Sequence, residues 1–130
     1  MIMSVLRSAC VCILFVIGLA VWTGCTQEEK LHRVSGNVTF DGKPIAKGII
    51  SFVPRQDGPQ GFANIWDGKY DTAKEGKGVR GGAYDIRVNG FDGKKVADAP
   101  FGNALFPEYN GEKELPAEDS TFDLEIPKKR

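Results

Sequence analysis

Residues 33–45, Arg33-Val34-Ser35-Gly36-Asn37-Val38-Thr39-Phe40-Asp41-Gly42-Lys43-Pro44-Ile45, read as a strand that runs into a turn. Val34, Val38 and Phe40 share one side of the chain with Gly36, while Ser35, Asn37 and Thr39 take the other. This period of two is what a strand shows when one face is buried and the other is wet. Asp41-Gly42 then places residues that tolerate positive φ where the chain must reverse. Working outward, Tyr84, Ile86 and Val88 oppose Asp85, Arg87 and Asn89, and Phe122, Leu124 and Ile126 oppose Thr121, Asp123 and Glu125. Ile49 to Val53 is apolar on both sides except at Ser51, which predicts a more enclosed strand, ended by Pro54 because proline cannot donate to a ladder.

Three further Asp-Gly pairs, Asp57-Gly58, Asp67-Gly68 and Asp92-Gly93, punctuate the pattern. The clearest hairpin is Asn64-Ile65-Trp66-Asp67-Gly68-Lys69-Tyr70, with a two-residue loop. Calcium is the alternative use of such aspartates, but the ligand spacing of an EF-hand loop and its terminal glutamate are missing, so no metal site is assigned. Short strands, 16 glycines, 7 prolines and no helical period between them predict an all-β antiparallel sandwich. Phe91 to Ser120 reads as a long connection in which only Ala104-Leu105-Phe106 offers a short strand.

The chain of 130 residues leaves room for one domain once its N-terminal segment is set aside. Beyond Gly24 there remain sixteen basic and seventeen acidic residues, interspersed rather than gathered into a stripe, so a nucleic-acid partner is excluded. Cys10, Cys12 and Cys25 are the three cysteines, and all lie in the first 25 residues. The body is therefore held by packing, without a disulfide or a thiolate site. Cys10 and Cys12 read as apolar filler in preference to a metal pair.

Met1 to Arg7 is a short basic start, and Ala9 to Trp22 is then a run of small or apolar residues. A membrane-spanning helix needs about 20 apolar residues and a signal h-region roughly 7 to 15, so residues 1–24 are read as a cleaved signal helix, with an uncleaved anchor as the alternative. Val21-Trp22-Thr23-Gly24-Cys25 resembles the lipobox of bacterial lipoproteins, with Trp22 where that pattern usually has leucine. The resemblance implies that Cys25 is the lipid attachment site; the alternative is an incidental small hydrophobe. Residues 25–32 form a polar tether, and residues 33–130 the β-domain. His32, the only histidine, reads as a solvated side chain beside the tether.

Val34 to Ile45, Gly48-Ile49-Ile50-Ser51-Phe52-Val53-Pro54, Asp67-Gly68-Lys69-Tyr70 and Gly82-Ala83-Tyr84-Asp85-Ile86-Arg87-Val88 together resemble the carboxypeptidase regulatory-like, transthyretin-like domain of short lipoproteins abundant in planctomycetes. The resemblance covers residues 33–90 well and implies a Greek-key sandwich of about seven strands with a non-catalytic accessory role. Enzymes of similar fold that hydrolyse 5-hydroxyisourate use several histidines and a C-terminal Tyr-Arg-Gly-Ser. This chain has only His32 and ends Pro127-Lys128-Lys129-Arg130, so that activity is not carried over.

No nucleophile elbow, zinc-binding helix or Cys-x-x-Cys pair is present, and Gly76-Lys77-Gly78 lacks the remainder of a phosphate loop. No catalytic residue and no cofactor are therefore assigned. Lys74, Lys77 and Arg80 read as a solvated turn, with a loop for an anionic partner as the alternative, and Asn37-Val38-Thr39 reads as a chance glycosylation sequon. The expected function is that of an exported, lipid-anchored protein of the cell envelope, membrane-bound through its N-terminus, whose sandwich serves as a structural or protein-interaction module. The alternative is an envelope carbohydrate-binding module, because Trp66, Tyr70, Phe91, Phe101, Phe106 and Tyr109 include rings that could stack on sugars. An enzyme would need a pair among Glu108, Glu112, Glu114, Glu118 and Asp119 to face a cleft.

Overall fold

The computed structural model describes Gly24 and residues 30–128. Residues 1–23 of the expected signal, and Cys25, lie outside the described residues. Among the described residues no helix is long and apolar enough to cross a membrane. Ten strands are described: β1 (Val34–Phe40), β2 (Lys43–Pro44), β3 (Lys47–Pro54), β4 (Gly61–Trp66), β5 (Lys69–Asp71), β6 (Gly76–Lys77), β7 (Gly82–Phe91), β8 (Tyr109–Leu115), β9 (Ser120–Thr121) and β10 (Leu124–Ile126). They are hydrogen-bonded along one path, β10-β1-β5-β4-β3-β7-β8, with β2 and β9 also on β1 and β6 on β4.

The sheet is curled. Laid flat, seven strands about 4.8 Å apart would hold their outer members roughly 29 Å from each other. Yet one core cluster unites Ile126 of β10, Val34 and Val38 of β1, Tyr70 of β5, Ile50 and Phe52 of β3, Tyr84, Ile86 and Val88 of β7, and Leu115 of β8. The fold is thus all-β and consistent with a sandwich, as the alternation predicts. The inward sets read from the sequence hold: Val34, Val38, Ile86 and Val88 are buried, and so is Tyr84, whose hydroxyl accepts a bond from the Arg80 amide.

Both Asp-Gly hairpins form with two-residue loops, Phe40 pairing with Lys43 and Trp66 with Lys69. Asp41 and Asp67 sit at φ 52° and 49°, each followed by a glycine at positive φ, which is the primed turn that matches strand twist.

Three features depart from the expectations. Ile49 is 40% exposed, because β3 is covered on one face only. The Phe91 to Ser120 stretch contains a seven-residue strand, β8, on the edge of the sheet beside β7. The Thr121 to Ile126 strand is split into β9 and β10, and both run parallel to β1. Gly36 lies beside the split: a Cβ there would lie 2.0 Å from the Phe122 carbonyl oxygen, so only glycine lets that backbone approach β1 so closely. The Phe122 carbonyl accepts from the Tyr70 hydroxyl at 2.5 Å.

The chain enters the fold where His32 and Val79 exchange backbone bonds of 2.6 and 3.0 Å. At that pole lie the start of β1, the end of β3, the start of β7 and the end of β8, with Pro54 opposite Tyr84 and Gly82 opposite Leu115. The opposite pole carries the two Asp-Gly turns and the 92–108 connection.

An aromatic cleft as the candidate functional site

The outer face of the sheet is set by register. Trp66 on β4 pairs with Lys47 on β3, and Lys47 pairs with Phe91 on β7. One step nearer the chain's point of arrival, Asn64, Ile49 and Asn89 form the next cross-strand row. Side chains of one row lie close enough to interact across a sheet, so two aromatics flank a lysine above two asparagines flanking an isoleucine. With Phe101 they line a cleft of about 350 Å³ at the pole remote from the tether. Trp66 is 46% exposed and Phe101 47%, and with Phe91 they line one cleft; rings gathered into one exposed patch, unlike single exposed rings, mark a surface for interaction.

The 92–108 connection delivers Phe101. The Asp92 carboxylate accepts from the Lys94 and Asn103 amides at 2.8 and 3.1 Å, and the Gly93 amide bonds the Phe101 carbonyl at 2.9 Å. Gly102, at φ 94°, fits because a Cβ there would lie 1.9 Å from that carboxylate. The folded-back loop sets the Phe101 ring 6.0 Å from that of Phe91.

Polar groups around the cleft are held in place. The Trp66 indole N–H and the Asn64 amide donate to the same Glu75 oxygen at 2.8 and 3.2 Å. Glu75 is brought there by the turn at residues 71–75, in which the Lys74 and Glu75 amides both bond the Asp71 carbonyl. The two donors, the indole first, hold the Glu75 carboxyl below the usual glutamate range. On the other side the Asn89 amide donates to Glu108 at 3.0 Å. Both asparagines thereby turn their NH2 groups to carboxylates and keep a carbonyl oxygen to accept from a ligand. The Lys47 ammonium stands 5.4 Å from the Trp66 ring centre. Beyond Trp66 a second cleft, of about 340 Å³, continues over β5 and β1 past Lys69, Lys74, Ser35 and Asn37.

A comparison with protein-family models and with curated proteins finds no match. The site therefore rests on its own geometry.

The six aromatics named from the sequence separate into groups. Trp66, Phe91 and Phe101 converge on the cleft. Tyr70 is buried in the core, where burial, with the Asp123 carboxylate adding, raises its phenol above the usual range. Phe106 and Tyr109 are partly buried against the core, the Phe106 ring centre 4.8 Å from that of Phe40 in a tilted contact. The acidic candidates are dispersed: Glu108 holds Asn89, Glu112 pairs with Arg55, and Asp119 accepts from the Arg33 amide. Among the described residues no three His, Cys, Asp or Glu side chains gather as a metal site would require. Lys74 borders the second cleft while Lys77 pairs with Phe62 in the β4–β6 ladder, so the basic run is divided between two places. Lys47 and Glu75 carry no site signal in the sequence, and Ile49, Asn64 and Asn89 read there only as strand residues. The one available signal was an isoleucine and two asparagines at outward positions of long strands.

Proposed function

We propose that the protein is exported, is anchored to a membrane by lipid on Cys25, and serves the cell envelope as a non-catalytic interaction module. On this reading residues 1–24 are removed as a signal, residues 25–32 are the tether, and residues 33–130 form a Greek-key, transthyretin-like sandwich of the carboxypeptidase regulatory-like kind. The observation that carries the proposal is the polarity of the domain. The chain arrives at His32, beside Val79, while the exposed rings of Trp66 and Phe101 occupy the opposite pole. An anchor at Cys25 would leave that face turned away from the bilayer, where a partner could reach it. Two or three acyl chains, at about 0.8 kcal/mol per buried methylene, would hold the domain on the membrane essentially permanently.

The test is fractionation of cells expressing the wild type and Cys25→Ser, with the intact mass of the membrane-extracted protein. A mass increase matching acyl chains on a chain beginning at Cys25, and release of the variant into the soluble fraction, are expected. Equal membrane retention of both proteins would refute the anchor. Loss of envelope crosslinks in a Trp66→Ala, Phe101→Ala chain is expected on the interaction side, and unchanged crosslinks would refute that part.

A further inference from the structure

The composition of the outer face is specific enough to name a ligand class. β3 is hydrogen-bonded on both sides, to β4 and to β7. The floor of the cleft therefore offers no free backbone edge, and a peptide could not add to it as a strand. Recognition must use what the side chains present: flat apolar rings and amide oxygens, with an ammonium group beside them. A pyranose ring presents the matching surface, with C–H bonds on its faces and hydroxyls around its rim. Such rings lie on aromatic faces, while the hydroxyls donate to carbonyl oxygens and accept from ammonium groups.

Two further observations define the sugar. The row Asn37, Lys69, Trp66, Lys47 and Phe91 crosses five adjacent strands, a span of roughly 19 Å at about 4.8 Å per strand. The clefts on the two sides of Trp66 lie along this row, with that ring as the ridge between them. The surface is longer than one sugar ring and suits a chain of them. Counted with the charged groups bonded to its lining, the face is balanced: Lys47, Lys69, Lys74 and Arg33 stand against Asp71, Glu75, Glu108 and Asp123, with Arg33 paired to Asp71, Glu108 held on Asn89 and Asp123 on Asn37. A face with no excess of either sign favours an uncharged ligand.

We propose that the outer face centred on Trp66 binds a neutral oligosaccharide of pyranose units. Rings stack on Trp66 and against Phe91 and Phe101, and hydroxyls bond the carbonyl oxygens of Asn64 and Asn89. This deepens the interaction-module reading at the same surface and rests on it for the source of the glycan.

The test is titration calorimetry of the detergent-extracted full chain with chitotetraose, cellotetraose and tetragalacturonate. Binding of a neutral tetrasaccharide is expected, weakened tenfold or more in Trp66→Ala and several-fold in Phe101→Ala. Phe62→Ala removes an exposed ring from the same strand that borders neither cleft, and is expected to leave affinity unchanged. Trp66→Phe should keep part of the affinity, and unchanged melting curves would show that the variants fold. No binding of either neutral sugar overturns the proposal, as does equal affinity in Trp66→Ala. Preference for tetragalacturonate overturns its neutral character. Envelope crosslinks that depend on Trp66 without any sugar binding would refute the glycan while leaving the interaction module standing. Sugar binding by a chain that Cys25→Ser does not release would do the reverse for the anchor.

Discussion

Replacing Gly36 with alanine should unseat the C-terminal strands from β1. The new Cβ would sit 2.0 Å from the Phe122 carbonyl oxygen, whereas ordinary contact begins at 3.4 Å, so that backbone must retreat by roughly 1.4 Å. Two hydrogen bonds depend on its present place: Tyr70 Oη to the Phe122 carbonyl at 2.5 Å, and the Phe122 amide to the Ser35 carbonyl at 2.8 Å. Losing both removes about 2 kcal/mol at roughly 1 kcal/mol each. The overpacking adds about 1–3 kcal/mol, for a total near 3–5 kcal/mol. Against a typical margin of ~5–15 kcal/mol this is a large share, and the midpoint should fall by at least about 12 °C. Urea denaturation followed by circular dichroism measures it directly. A double-mutant cycle supplies the sharper check: Tyr70→Phe alone should cost about 1 kcal/mol, and close to nothing once Gly36→Ala has already moved Phe122. A loss below about 1 kcal/mol for Gly36→Ala, or full additivity with Tyr70→Phe, would refute the reasoning.

Two pH effects follow from Tyr70 and Glu75, which both line the second cleft. The Tyr70 phenol is raised by burial, so its contribution is fully present below the ordinary tyrosine range, about 10, and is lost as pH climbs through its folded value. Ultraviolet titration should therefore show a tyrosine phase that appears only as the protein unfolds in alkali and that is diminished in Tyr70→Phe; an unchanged titration curve in that variant would contradict this. The Glu75 carboxyl is lowered by the Trp66 indole and the Asn64 amide, so its contribution is present above the ordinary glutamate range, about 4.3, and is lost as pH falls through its folded value. In a Trp22→Phe chain Trp66 is the sole tryptophan, and its fluorescence should shift in that acid window. The same shift persisting in Glu75→Gln would rule out the carboxylate as its cause.

The inward half of the fold was legible because burial writes itself into alternation. Val34, Val38, Ile86 and Val88 are core residues, and the Asp-Gly pairs at residues 41 and 67 turn as their tolerance of positive φ requires. β8 was hidden because its core-facing positions, Tyr109, Gly111, Lys113 and Leu115, include a glycine and a lysine, as suits an edge strand that buries little. The parallel pairing of β9 and β10 with β1 was not legible either, since alternation fixes which face a side chain takes but not the direction of its neighbour. The same limit governs the site. Trp66, Phe91 and Phe101 could be named as rings, but their convergence depends on the β4–β3–β7 register and on the folded-back loop. The outward Ile49 reads as enclosed because its neighbours in sequence are apolar, yet it is exposed on the face that β3 leaves uncovered.

If Cys25 is the anchor, the domain's orientation has a measurable consequence. Seven steps of chain link Cys25 to His32, a reach of at most about 25 Å at ~3.6 Å per residue. β7 alone runs ten residues, nine steps, from the tether pole to the cleft pole, roughly 30 Å at ~3.3 Å each. The tether is shorter than the domain, so the two poles cannot exchange places freely beside the bilayer. Cysteine substitution reads this out, because no cysteine occurs beyond residue 25. Phe101→Cys at the cleft pole and Ala117→Cys at the tether pole both replace exposed residues. In sealed vesicles with the domain outside, a bulky membrane-impermeant maleimide should label the first several-fold faster, while both should react alike after detergent extraction. Equal rates on the vesicle would mean that the cleft faces the membrane as often as it faces away, and the polarity argument for the interaction module would fail with it.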